Sequence, residues 1–228
     1  MIIRLILGVL TMTTLFAGPQ EVSFPTQDGG VVYADLYGAG DRGVVLAHGM
    51  KFDKASWKDQ AIQLANAGFR VSAIDFRGYG KSHGGPKSQS PRDEMYLDVL
   101  AAVDYLRGHG ARTVAVIGAS MGGGASANAV VKGAPGAIDR LILLAPVPIE
   151  SPERINVPKL YAAAKDDPVT AKMKEQYEKA PQPKELLILE GSAHAQNLFT
   201  TDQNERLMKE ILRFLSAAKP AVVKKVSQ

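Results

Sequence analysis

The rest of this chain is organised around the stretch Thr113-Val-Ala-Val-Ile-Gly-Ala-Ser-Met-Gly-Gly-Gly-Ala-Ser-Ala-Asn-Ala-Val130. Its first part, Val114 to Ile117, is a short apolar run rich in β-branched residues, which predicts a strand buried on both faces. The small, helix-permissive residues of 125–131 follow. Between the two lies Gly118-Ala-Ser-Met-Gly122, the G-x-S-x-G pattern of a nucleophile elbow, in which the serine occupies a sharp strand-to-helix turn.

The elbow needs these residue types for physical reasons. Gly118 and Gly122 lack the Cβ atoms that would clash where strand and helix pass closely, and the turn leaves the Oγ of Ser120 exposed. A helix that begins directly after Ser120 would aim free N–H groups and its positive dipole end at a developing oxyanion. Two other interpretations exist: a glycine-rich turn without chemistry, or a phosphate site at 122–124. The second lacks the Lys-Ser/Thr of a P-loop.

Apolar runs and amphipathic stretches alternate along the rest of the chain. A turn at 28–30 between two half-buried strands predicts a β-hairpin, after which buried strands alternate with helical segments. This alternation predicts an α/β fold with a mostly parallel sheet of about eight strands and helices on both faces. The predicted strands cover 21–25, 31–37, 43–47, 70–75, 114–117, 141–145, 157–163 and 185–189; the predicted helices cover 53–67, 90–108 (or 110), 125–131, 171–179 and 201–217.

Polar residues follow several of these strands, at the edge where the carboxyl ends of parallel strands meet and function gathers. Asp166 and Asp167 follow one late strand, and His194 follows the next. A serine hydroxyl needs an adjacent base, and that base needs a carboxylate to fix its tautomer. The order serine, aspartate, histidine, each after a strand, therefore predicts that Ser120, one of the two aspartates and His194 act together.

The four histidines of the chain differ in their surroundings. His194 lies in a late loop after a strand and is flanked by small residues, which favours it as the base. His48 precedes a glycine at a strand end, where packing and support of the loop is the favoured role. His83 and His109 lie beside glycines and are predicted to be solvated.

With these residues in place, the chain resembles the α/β-hydrolase superfamily over residues 21–217. The resemblance implies Ser120 as nucleophile, His194 as general base and acid, and Asp166 as the acid that orients His194. It also implies an oxyanion hole formed by the backbone N–H groups of Met50 and Met121. The features that carry the resemblance, in chain order, are His48-Gly49, the loop Asp75-Phe-Arg-Gly-Tyr-Gly-Lys-Ser82, the elbow at Ser120, the Asp166 loop and the His194 loop.

The choice of the acid has one alternative. The sequence Asp166-Asp167-Pro168-Val169 fits the family pattern with Asp166 as the acid. Asp167 is the alternative acid, and otherwise caps the helix that begins near Thr170.

The segment after residue 145 implies an open site. Only eleven residues, 146–156, separate two predicted strands, and three of them are prolines. This leaves no room for a helical cap, so the resemblance implies a small, uncapped, esterase-like member that favours short acyl chains. Alternatives on the same residues are amide or peptide hydrolysis and acyl transfer, and peroxidase or lyase chemistry also occurs on this fold. A non-catalytic interaction protein is the alternative from a different class.

Composition excludes other classes of function. The 228 residues are 46% hydrophobic and 22% charged, which is ordinary for one globular domain. The net charge of +4 is accounted for by Arg4 and by Lys219, Lys224 and Lys225 near the termini, so no basic face for nucleic acid is predicted. The chain has no cysteine, which excludes disulfides and thiolate metal sites. We expect no cofactor and no metal, and a small ester or acyl compound as the substrate.

The termini are predicted to be separate from the domain, which covers 19–217. Residues 1–18 combine one positive charge, a twelve-residue apolar core over 5–16 and small residues, the outline of a signal peptide. This predicts cleavage near Ala17, export to the periplasm or medium, and no stable membrane span in the mature protein; without cleavage the protein would be cytoplasmic. Residues 218–228 are predicted to be a disordered basic tail.

Overall fold

The structure, a computed structural model, describes residues 18–86 and 91–218. The predicted leader, apart from Gly18, and the basic tail, apart from Ala218, lie outside the described residues, so both stay predictions. None of the helices in the described ranges combines the length and the apolar character that a membrane span requires.

The described residues build one sheet of eight strands, arranged β1-β2-β4-β3-β5-β6-β7-β8. The two pairs β1–β2 and β2–β4 are antiparallel, and every other neighbouring pair is parallel. The predicted fold class, an α/β-hydrolase fold, is thereby confirmed. The strands are β1 (Gln20–Pro25), β2 (Val31–Tyr37), β3 (Arg42–Ala47), β4 (Phe69–Ile74), β5 (Thr113–Ala119), β6 (Arg140–Leu144), β7 (Lys159–Ala164) and β8 (Lys184–Leu189).

Five α-helices connect and cover the strands: α1 (Lys58–Asn66), α2 (Met95–Gly108), α3 (Met121–Lys132), α4 (Thr170–Lys179) and α5 (Asn204–Ser216). Short 3-10 helices cover Lys54–Trp57, Pro152–Arg154 and Ala195–Thr200. Three helices begin later than the sequence predicts. The 3-10 helix Lys54–Trp57 precedes α1, where the sequence predicts a helix from residue 53. Residues 91–94 form a turn before α2, and the 3-10 helix at 195–200 occupies the chain just before the predicted start of α5.

Burial explains why the strands read as apolar runs in the sequence. All six residues of β7 are buried, as are five of six in β3, because helices cover both faces of the central sheet. The final helix shows the complementary pattern, with its buried residues on a single face. They are Leu207, Met208, Ile211, Phe214 and Leu215.

The order of the strands places a site between β3 and β5. From β3 the chain crosses to β4 on one side, then returns past β3 to β5 and continues through β6 and β7 to β8 on the other side. Right-handed crossovers put α1 on one face of the sheet and α2, α3 and α4 on the other. Such a reversal opens a crevice at the carboxyl ends of the two strands, which is where ligands bind in doubly wound sheets.

No cap domain lies over this crevice in the described part of the chain. Between the end of β6 and the start of β7 the chain forms only the one-turn 3-10 helix Pro152–Arg154. The expectation of an uncapped fold is therefore met.

Candidate active site

The turn after β5 has the strained backbone that an elbow requires. Ser120 has φ 49° and ψ −112°, a conformation that costs an L-residue free energy, and α3 begins at the next residue. A Cβ on Gly118 would overlap the carbonyl oxygen of Gly122, and a Cβ on Gly122 would overlap the carbonyl oxygen of Ala47. The close passage of β5, α3 and the end of β3 therefore requires both glycines.

Three side chains form a continuous chain of hydrogen bonds at this edge. The Nε2 of His194 lies 2.9 Å from the Oγ of Ser120, and its Nδ1 lies 2.7 Å from the Oδ2 of Asp167. The carboxylate of Asp167 is 1% exposed whereas the His194 side chain is 40% exposed. One edge of the imidazole thus faces a buried carboxylate, while its other nitrogen faces the half-buried Ser120.

The structure corrects the predicted partner of His194, which is Asp167 and not Asp166. The side chain of Asp166 is exposed, and its backbone N–H donates to Gly191 O at 2.9 Å. The N–H of Asp167 closes a turn onto Ala164 O at 3.3 Å, and this turn directs its side chain inward. Two adjacent aspartates in a turn face opposite ways, and the sequence alone does not say which of them faces in.

Asp167 is not the N-cap of α4, which is Val169 without a side-chain cap, but it holds the turn that precedes the helix. Its Oδ1 accepts a hydrogen bond from Val169 N–H at 3.2 Å, and its carbonyl oxygen accepts from Thr170 N–H at 2.9 Å. The two carboxylate oxygens therefore have separate partners, one in the backbone and one in His194. This arrangement fixes the rotamer of the carboxylate.

The loop after β3 is held by His48, in the supporting role predicted for it. His48 is fully buried; its Nδ1 lies 2.8 Å from Gly49 O, and its Nε2 lies 3.2 Å from Phe76 N. Because a backbone N–H can only donate, Nε2 accepts and Nδ1 carries the proton. Burial lowers the pKa of His48, which keeps this tautomer neutral. His83 and His109 are exposed, as predicted.

Met50 and Met121, the predicted oxyanion donors, follow β3 and β5 at this edge. Met121 is the first residue of α3, so its N–H has no acceptor within the helix. The Gly49 carbonyl, in the same peptide group as Met50 N–H, accepts from His48 and from Phe52 N–H. Since C=O and N–H point oppositely in a trans peptide, fixing this carbonyl also fixes the direction of Met50 N–H.

Sequence reasoning missed Gln196, which joins two of these loops. Its Oε1 accepts from Gly49 N–H at 2.6 Å, and its Nε2 donates to the Oγ of Ser56 at 2.7 Å. The signal available in the sequence was a polar residue two positions after His194. That signal gives no indication that the partner lies 147 residues away in the chain.

Sequence reasoning also missed the ion-pair network under the loop after β4. The guanidinium of Arg77, 1% exposed, contacts Asp98, Asp28 and Glu94. Burial lowers the pKa of Arg77, but its bonds to Asp98 and Asp28 outweigh burial and raise it. Burial raises the pKa of the Asp28 carboxyl, but hydrogen bonds from Arg77 and Thr26 outweigh burial and lower this pKa to about 2. A charged residue at position 98, within the apolar face of α2, was the available signal.

An open cavity of about 500 Å³ lies beside Met50, and neither Ser120 nor His194 is among its lining residues. Its lining combines apolar and polar groups and includes Met50, Phe52, Ser56 and Tyr79. The Tyr79 hydroxyl donates to Met50 O at 2.9 Å, so the tyrosine forms a fixed wall of the cavity. Among the described residues, no group of three or more His, Asp or Glu side chains is arranged to hold a metal ion.

The sequence of the chain is similar to a family model and to several known proteins. A family model described as serine aminopeptidase, S33, matches residues 39–153. The non-heme haloperoxidase of Rhodococcus erythropolis is 32% identical over 125 residues, which are 53% of this chain and 42% of that protein. Epoxide hydrolase B of Mycobacterium tuberculosis is 40% identical over 80 residues, 35% of this chain and 22% of that protein. The chain spans less than half the length of these two relatives.

The fold extends further than the sequence similarity. An esterase from Pyrococcus furiosus superimposes with a TM-score of 0.73 over 92% of this chain and 96% of that one, at 20% identity. At this level of identity the likeness shows a shared fold.

Proposed function

Since the chain belongs to the serine aminopeptidase S33 family within the α/β hydrolases, whose model matches residues 39–153, we propose that it is a serine hydrolase that cleaves carboxylic esters. The hydrogen-bonded series Asp167–His194–Ser120 is the observation that carries the proposal. A serine, an imidazole and a buried carboxylate at 2.9 and 2.7 Å are the parts that nucleophilic acyl transfer requires.

In the first half of the reaction Ser120 is acylated. Its Oγ attacks the carbonyl carbon while Nε2 of His194 takes the hydroxyl proton. Asp167 holds Nδ1–H and stabilises the imidazolium that forms. When the tetrahedral intermediate collapses, the C–O bond to the alcohol breaks and His194 protonates the leaving oxygen.

In the second half water replaces the alcohol. His194 takes a proton from water as the water oxygen attacks the acyl carbon, and then returns a proton to Ser120 Oγ as the acid leaves. The half-exposed His194 side chain provides the route by which this water arrives.

The N–H groups of Met50 and Met121 would bind the oxyanion in both halves. The start of α3 contributes its dipole, and the Gly49 carbonyl is held so that Met50 N–H keeps one direction. Such preorganised donors commonly contribute about 10²–10³-fold each to kcat.

The open site favours small acyl groups. Each sequestered CH₂ contributes about 0.8 kcal/mol to binding, but only where apolar surface encloses it. The connection between β6 and β7 builds no cap, and the cavity beside Met50 is open. We expect kcat/KM to be highest for acyl chains of about two to six carbons and to level off or fall beyond them, since further CH₂ groups stay in water.

The test is covalent labelling followed by a substrate panel. A fluorophosphonate should label Ser120 in the wild type, and Ser120→Ala should abolish both labelling and hydrolysis of nitrophenyl esters. The same protein is then assayed on esters of two to eighteen carbons and on aminoacyl anilides.

Each outcome of the panel has a separate meaning. Turnover of the anilides above that of every ester would replace the ester assignment with amide hydrolysis. A maximum at sixteen or eighteen carbons would contradict the open site. An unlabelled Ser120 without turnover would favour a non-catalytic interaction protein.

A further inference from the structure

We propose that Gln196 is a positioning residue that holds the Gly49–Met50 segment in the orientation required to bind the oxyanion; this role rests on the serine-hydrolase function proposed above. Gln196 is 5% exposed and hydrogen bonds through both ends of its amide. Because Gly49 N–H can only donate, the oxygen of the amide must face it, and the NH₂ group then faces Ser56. The two bonds fix a single orientation of the side chain.

Gly49 is the hinge of the oxyanion loop, and Gln196 removes the freedom of this hinge. A glycine without a Cβ can rotate about φ over a wide range. One flanking peptide of Gly49 is fixed by Nδ1–H of His48, which donates to Gly49 O at 2.8 Å. The other is fixed by Gln196, which accepts from Gly49 N–H at 2.6 Å. With both peptides held, neither dihedral of the glycine can change, so Met50 N–H keeps its direction.

Gly49 lies directly against both the nucleophile and Gln196. A Cβ at position 49 would lie 3.4 Å from Gln196 Oε1 and 3.5 Å from Ser120 Cβ, which is van der Waals contact distance. A hydrogen bond from outside the loop supplies the restriction that the glycine itself lacks. The bond also ties the hinge to the chain segment that carries His194.

The backbone bends between His194 and Gln196, so that the two side chains face different partners. Ala195 has φ 51°, a left-handed conformation that costs a non-glycine residue free energy. This sharp bend lets His194 face Ser120 and Asp167 while Gln196 faces Gly49 and Ser56. The T-shaped contact of Trp57 with Phe199, at 5.8 Å, packs the two 3-10 helices together beside these bonds.

The proposal predicts a defect confined to the transition state. Without Gln196, Gly49 would regain its rotation, and Met50 N–H would lose its fixed direction. The ground-state ester carries little charge on its oxygen, so KM should change little. The tetrahedral intermediate, which carries a full charge there, should lose stabilisation.

Two variants separate this role from a merely structural one. Gln196→Met keeps the length of the side chain and removes both hydrogen bonds. Gln176→Met is the matched control, because Gln176 is also buried, at 4% exposed, and its Oε1 also accepts a loop N–H, that of Ile149 at 2.7 Å.

We expect Gln196→Met to lower kcat about 10–100-fold, which is less than the ~10²–10³-fold cost of removing an oxyanion donor outright, with KM changed less than about threefold. Its Ki for a trifluoromethyl ketone, which forms a charged tetrahedral adduct, should rise in parallel with the loss of kcat/KM. The pH at which kcat/KM is half-maximal should not move. Gln176→Met should retain kcat within about threefold, although it lowers the melting temperature as much as Gln196→Met does.

Any of three results would overturn the positioning role. These are unchanged kcat in Gln196→Met, an equal loss of kcat in Gln176→Met, or an unchanged Ki for the ketone. If Gln196→Met does not fold, Gln196→Asn is measured in its place, because it keeps the amide but is one methylene too short to reach both partners. Failure of the serine-hydrolase function is recognised separately, because then the wild type itself neither labels at Ser120 nor hydrolyses esters.

Discussion

The two edges of the central sheet are built on different physical principles. At the carboxyl edge, three non-glycine residues have positive φ: Ser120, Ala145 and Ala195 at 49°, 43° and 51°. Each follows a strand, at β5, β6 and β8. The described residues show no other non-glycine residue with positive φ, and thus none at the amino edge. Backbone strain is concentrated where the candidate site lies, as expected when strain serves to aim side chains.

At the amino edge, arginine and lysine side chains donate hydrogen bonds to the carbonyl groups at the C-terminal ends of helices. Arg42 donates to Ala67 O at 2.9 Å after α1, and Lys184 donates to Tyr177 O at 2.8 Å in the last turn of α4. Arg140 donates to Ala217 O at 2.6 Å after α5. Helices run antiparallel to the strands, so their carbonyl ends and negative dipole ends collect at this edge, where positive side chains stabilise them.

At the carboxyl edge the backbone takes strained conformations that aim the side chains of the candidate site. At the amino edge the contacts of the charged side chains stabilise the fold. Substitutions at the carboxyl edge should therefore reduce activity first. Substitutions at the amino edge should change stability and leave activity intact.

The largest expected effect tests the carboxyl edge directly. Ser120→Ala should lower turnover by at least about 10⁴-fold. It should leave the melting temperature nearly unchanged, because the hydroxyl makes one part-buried hydrogen bond, to His194, and alanine can take the same backbone conformation. Ester turnover and a thermal melt measure the two quantities. A variant that keeps more than a tenth of the activity would place the nucleophile elsewhere.

The second-largest expected loss of activity distinguishes Asp167 from Asp166. Asp167→Asn should lower kcat by about 10³–10⁴-fold, because the amide cannot hold His194 as the carboxylate does. Asp166→Asn, the matched control at an exposed position, should stay within about threefold of the wild type. Steady-state kinetics on one short-chain ester decides between them, and the reverse ranking would contradict the observed pairing.

A pair of glycine substitutions compares the packing of the two edges. Gly122→Ala should cost about 2–3 kcal/mol of unfolding free energy and reduce activity, because its Cβ would overlap the backbone at Ala47. Gly43→Ala, at the amino edge, meets only side chains at 3.1–3.2 Å. It should stay within about 1 kcal/mol of the wild type, because alanine is also the better residue in a strand.

Urea denaturation and ester turnover of the two glycine variants provide the measurement. Equal losses of stability would mean that the two edges are packed alike. A loss of activity in Gly43→Ala would remove the functional distinction between them.

The smallest effect is a pH dependence at the amino edge. Burial, with a contribution from Lys184, lowers the pKa of Lys159 to about 8. The unfolded lysine titrates near pH 10.4, so between pH 8 and 10.4 the unfolded chain binds more protons and stability rises with pH. This gain should be about 1–2 kcal/mol between pH 8 and 10, and Lys159→Met should lose it.

The measurement for Lys159 is the difference in unfolding free energy between wild type and Lys159→Met at the two pH values. Ester turnover of the variant, assayed at pH 8, should match that of the wild type. A difference in stability that does not vary with pH would mean that Lys159 titrates normally.

The order of the elements and the edge that carries the candidate site can be predicted from the sequence alone. Apolar runs predict strands because parallel strands are buried on both faces, and the glycines around Ser120 predict a sharp turn because only residues without a Cβ fit there. His194 could be chosen because it was the one histidine in a late loop after a strand. These are local properties, and a local pattern is sufficient to read them.

Which side chains come into contact depends on the tertiary fold. Asp166 and Asp167 are adjacent and chemically identical, so the turn onto Ala164, and no property of the residues, selects the one that faces His194. Gln196 meets Gly49 across 147 residues because β8 and β3 end at the same edge of the sheet. Contacts of this kind depend on the placement of whole strands, and residue type and spacing along the chain do not encode them.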